Sequence, residues 1–135
     1  MTAFSNYLEA AIINHVLRGT AIFAAPGTVY VALFTGDPTD AGTGPEVTGG
    51  GYARVAVLTA GGWTAPGTDG ISANVSPITW PAPTGSWGTV THVAIFDAAA
   101  AGNMYFHGAL SQSRIINSGD PALTLIAGNL TVQLQ

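Results

Sequence analysis

Two histidines, His92 and His107, flank one aspartate, Asp97, in the stretch SWGTVTHVAIFDAAAAGNMYFHGAL at residues 86–110. If Asp97 to Gly102 is a hairpin loop, the two imidazoles approach each other across neighbouring strands, which is how a two-histidine metal site begins. Register decides whether they cooperate. When paired residue numbers sum to an odd value near 199 the rings share a face, and a one-residue slip puts them on opposite faces. Asp97 does not supply a third ligand, because at a loop end its carboxylate is better used to close the turn. The stretch is therefore expected to be structural wall, with no metal bound.

Other combinations of reactive types lead to the same expectation. Serine is plentiful, but there is no G-x-S-x-G elbow and no strand-turn-helix to hold a triad. The acids Asp37, Asp40 and Glu46 lie together in TGDPTDAGTGPEV, whose spacing differs from the calcium loop, and Asp37-Pro38 is an ordinary turn opener. The glycines form no G-x-G-x-x-G and no lysine is present for a phosphate loop, so nucleotide binding is not expected. Trp63, Trp80 and Trp87 sit beside Gly/Pro-rich segments, where tryptophan can stack a sugar, plug the end of a sandwich or anchor a subunit interface. Catalytic residues and cofactors are expected to be none.

Charge narrows the partners. Arg18, Arg54 and Arg114 are the only bases among 135 residues, and seven acids bring the net charge to −4. Three scattered arginines cannot displace the counterions of a nucleic acid, nor bind an anionic membrane surface. With 0 cysteines there is no disulfide or thiolate metal site. Only 7% of residues are charged while 47% are hydrophobic, so little repulsion keeps copies apart and the chain reads as part of a larger assembly. The beginning, MTAFSNYLEAAIINHVL, shows no export leader, and no apolar run approaches a membrane span, so synthesis in the cytoplasm without export and a soluble product are expected.

The elements that must position these residues follow from periodicity. Leu8, Ile12 and Val16 recur at helical spacing, widened by Ile13 and Leu17, which predicts one amphipathic helix over 7–18 buried against the sheet or a neighbouring subunit. Asn6 is the expected N-cap with Glu9 three residues on, and Gly19 the expected C-terminal stop. After it, TVYVALFT (28–35), YARVAVLT (52–59), ISANVSPITW (71–80), TVTHVAIF (89–96), NMYFHGAL (103–110), ALTLIA (122–127) and LTVQL (130–134) read as strands. Gly128-Asn129 suggests a two-residue hairpin or a bend in a single strand, and Pro77, Pro81 and Pro83 push the third run to an edge or off the sheet. GTVYVALFTGD (27–37) and GTVTHVAIFD (88–97) echo each other as strands ending in Asx-type turns. The expected fold is one domain over 1–135, mainly β: a jelly-roll-like antiparallel β-sandwich over 28–134 with one N-terminal amphipathic helix.

Taken together, AFSNYLEAAIINHVLRGTA, TVYVALFTGDPTDAGTG, GGYAR, SWGTVTHVAIFDA, MYFHGAL and GDPALTLIAGNLTVQL resemble a family of small tailed-bacteriophage virion structural proteins, over nearly the full length. The resemblance implies a helix followed by a jelly-roll-like sandwich and a non-enzymatic place in the virion. Members are labelled either capsid cement (decoration) proteins or tail fibre proteins. Low charge and extended loops favour cement on the capsid surface, binding the major capsid protein and associating as a homotrimer. The alternative is a tail fibre or tail-tip component binding host carbohydrate, although the chain has neither shaft repeats nor heptads. Trp63, Trp80, Trp87, Leu8, Ile12 and Val16 are the interface candidates.

Overall fold

The computed structural model describes residues 3–134. Its main layer is an antiparallel sheet in the order β1 (Ala3–Phe4), β7 (Met104–Ile116), β6 (Gly88–Phe96), β2 (Thr28–Phe34) and β3 (Val55–Leu58). Against it lie two short ladders, β4 (Ile71–Ala73) with β9 (Thr131–Gln133) and β5 (Ile78–Thr79) with β8 (Thr124–Leu125). Val31, Leu33, Val93 and Ile95 of the large sheet share one cluster with Ile78, Trp80, Leu130 and Val132 of the opposite layer. That apolar contact holds the layers together. The chain is thus mainly β, antiparallel, with one N-terminal helix.

The two echoing segments are partners. Val31 pairs with Ile95, Ala32 with Ala94 and Leu33 with Val93. Their apolar quartets are buried on both faces, because Ala32, Phe34, Ala94, Phe96 and Met104 form a second cluster on the outer side of the same sheet. An unbroken apolar run is the mark of a strand covered on both sides.

Helix α1 (Asn6–Arg18) matches the predicted span, but its cap is Ser5 rather than Asn6. The Ser5 hydroxyl accepts from the Leu8 N–H at 3.2 Å and donates to the Met104 carbonyl, while Gly19 ends the helix at φ 64. Ser5 therefore welds helix to sheet as well as starting the helix. Ser5→Ala is expected to destabilise the fold by about 1–2 kcal/mol, read as a lower thermal midpoint. Leu8 is buried and Ile12 half-buried, but Val16 is 69% exposed. Of the two places expected for this stripe, the sheet or a neighbouring subunit, Leu8 and Ile12 take the sheet, and Val16 lies beyond its reach.

Three strand expectations also change. The run 71–80 splits into β4 and β5, with Asn74 to Pro77 between them, and each half pairs with only one short strand. The run 52–59 becomes a strand only from Val55. Gly128-Asn129 joins no hairpin, since β8 pairs with β5 and β9 with β4. The Gly128 N–H goes instead to the carbonyl of Asn74 at 2.8 Å.

Candidate functional site

His92 and His107 do share a face. His107 pairs with Ala94 and His92 with Ala109, which makes the imidazoles diagonal neighbours on the outer side. They do different work. His92 Nδ1 lies 2.8 Å from the Thr91 hydroxyl, whereas His107 turns both ring nitrogens toward the loop after β2. Its Nε2 is 2.9 Å from Asp40 Oδ1 and its Nδ1 is 3.6 Å from Asp37 Oδ1. Among the described residues no group of three or more His, Asp or Glu is arranged to hold a metal ion.

The loop that carries the aspartates is held in place by its own geometry. Pro38 is buried, the Gly44 N–H reaches the Pro38 carbonyl at 3.1 Å, and a Cβ on Gly44 would meet the Asp37 carbonyl oxygen at 2.2 Å. Glycine is required at 44. Asp37 accepts the Thr39 N–H at 2.8 Å, the turn role read from the sequence. Asp97 likewise closes its own loop, taking the Asn103 N–H at 2.7 Å and side-chain amide at 2.8 Å.

A second charged cluster caps Phe96. Arg54 forms a two-pronged pair with Glu46, Nε to Oε1 at 2.8 Å and Nη2 to Oε2 at 2.7 Å, and its Nη1 donates to the carbonyls of Ala98 and Ala101. The guanidinium carbon lies 3.8 Å over the Phe96 ring. Beyond the end of β3, on the edge of β2 away from β6, the Tyr52 hydroxyl accepts the Leu33 N–H at 2.9 Å while donating to Glu46. Burial, with the Glu46 charge adding, pushes the Tyr52 phenol well above its usual range. Burial likewise raises Tyr105, helped by Asp97 and Tyr7. The sequence offered each charge but no sign of this convergence.

Of the interface candidates, Trp80 and Trp87 are packed inside the chain, 1% and 4% exposed, so neither presents a surface to a subunit or a sugar. Trp87 Nε1 donates to the Gly50 carbonyl at 2.9 Å. Trp63 is half-buried in the wall of an apolar cleft of about 300 Å³ between the layers, with Tyr105, Phe106, Pro66 and Leu134. Leu8 and Ile12 face inward. Further along the helix, Ile13, Val16 and Leu17 stand 55%, 69% and 76% exposed, an apolar patch at i, i+3, i+4 spacing. Exposed apolar area grouped in this way marks an interaction face.

A family model described as podophage GP4 fiber I protein gp80 matches residues 3–133. The chain belongs to this family. No curated protein matches it. Membership in the fibre I family makes the chain a bacteriophage virion structural protein, in line with the resemblance carried by its N-terminal, GGYAR and C-terminal segments.

Proposed function

We propose that the chain is a non-enzymatic component of the tail fibre apparatus, incorporated through the apolar helix face of Ile13, Val16 and Leu17. The observation that carries this reading is the fibre family match across residues 3–133. The helix face supports it by giving the part a place to join its neighbours, and the charge-poor composition favours other copies of the chain, closed as the expected homotrimer. With Trp80 and Trp87 internal, a three-tryptophan sugar platform is not available for host binding.

A phage lacking the gene, scored for both adsorption and head stability, tests the assignment. Lost adsorption with heads of normal heat resistance is expected. Normal adsorption with heads that lose genome at lower temperature would instead establish the cement role and the major capsid protein as partner. In the same background, Leu17→Glu should unfold at the wild-type temperature, because the side chain is already in solvent, yet fail to enter particles. Normal incorporation of that variant would remove the helix face from the proposal.

A further inference from the structure

We propose that His107, Asp37 and Asp40 form an acid-tightened latch, which holds the loop after β2 and the first turn of α1 against β7. The argument starts from donor counting. A neutral imidazole has one N–H, while the cation has two, and here both ring nitrogens face carboxylate oxygens, at 2.9 Å and 3.6 Å. The neutral ring satisfies one aspartate and turns a lone pair toward the other. The charged ring suits both.

The ring side chain is only 9% exposed, while the two carboxylates are 61% and 56% exposed on their far sides. The Asp37 side chain and the Asp40 backbone are each held by a second bond. Asp37 is tied to the Thr39 N–H, and the backbone carbonyl of Asp40 accepts the N–H of Asn6, the first residue of α1, at 2.9 Å. Asp40 thus links the imidazole directly to the helix start. Ser5 carries the same junction on the other side through the Tyr105 and Met104 carbonyls.

The charged and titratable surroundings are few. The loop contributes Asp37 and Asp40, and β6 contributes His92 on the same face, engaged with Thr91. The described part of β1, Ala3–Phe4, brings none, and the first turn of α1 brings Glu9, whose side chain is exposed. The balance at the ring is therefore one imidazole against two carboxylates. Protonation turns two acceptors facing one donor into two ion pairs, and high salt should weaken the effect because the aspartates reach solvent.

The test is unfolding of the full chain at about pH 8 and about pH 5.5, on either side of ordinary imidazole titration. Wild type should gain about fivefold in folding constant on acidification relative to His107→Gln, a modest charge-assisted bond discounted for exposure. His92→Gln should keep the full gain. Hydrogen exchange at the Asn6 amide, corrected for intrinsic rate, should slow as the His107 ring protonates by NMR. That readout needs no variant and stands even if His107→Gln does not fold. An equal gain in His107→Gln, or Asn6 exchange that does not follow the ring, would overturn the latch.

Discussion

Arg54→Met is expected to destabilise the protein by about 3 kcal/mol, although it replaces one of only three basic side chains with an apolar one of similar length. The pair it breaks is not an ordinary surface pair. The Arg54 side chain is 5% exposed and Glu46 25%, so the carboxylate left behind has little water to replace two hydrogen bonds. The carbonyls of Ala98 and Ala101 lose their donor in the same change, and Phe96 loses its cap. The partial exposure of Glu46 keeps the figure below the upper range for a sealed pair. Arg54→Lys should recover only part, since one ammonium cannot span both carboxylate oxygens and the ring. Adding Glu46→Gln to Arg54→Met should cost less than the sum of the single changes. Denaturant titration reads all three, and an Arg54→Met loss under about 1 kcal/mol would show the cluster to be incidental.

Local chemistry was legible in the sequence wherever it was self-contained. The quartets VALF and VAIF announce strands covered on both faces, Gly19 announces the helix end, and the carboxylates of Asp37 and Asp97 announce turns. These signals lie within a few residues of what they control. The pairings that build the candidate sites do not: His107 meets Asp40 from 67 positions away, and Arg54 meets Ala98 from 44. Ser5 displaced Asn6 as cap for a related reason. Either side chain could start the helix, and the Met104 carbonyl on β7, 99 positions on, gives Ser5 a second bond. Tryptophan burial was equally hidden, because Gly/Pro-rich flanks look alike whether a loop folds over an indole or holds it out to solvent. The exposed half of the helix carries a core-like pattern for want of a partner within the chain, and pattern alone does not say which molecule covers it.

The false hairpin at Gly128-Asn129 leads to the other large expected effect. Strands of two or three residues cannot choose partners by their own ladders, and here one side chain decides. Asn74, 1% exposed, donates from Nδ2 to the carbonyls of Ser76 at 2.9 Å and Ile126 at 3.0 Å and accepts the Leu130 N–H at 2.9 Å. Its backbone adds two bonds, to Leu130 and from Gly128. It thereby fixes the bend between β4 and β5 against the bend between β8 and β9, and both short ladders depend on it. Asn74→Asp keeps the shape but sets a carboxylate oxygen against two carbonyls, so a loss of about 3–5 kcal/mol is expected at neutral pH. Asn74→Ala, the larger change in volume, should cost less, about 2–3 kcal/mol, because it removes bonds without adding a buried charge. Lowering the pH should narrow the Asn74→Asp deficit: the neutral acid regains one donor, so the folded state favours protonation more than the unfolded chain does, and stability falls as pH rises. Asn74→Ala should show no such narrowing. Urea unfolding of both variants across pH decides the matter, and the reverse order of stability at neutral pH would mean that Asn74 fills space rather than directing the chain.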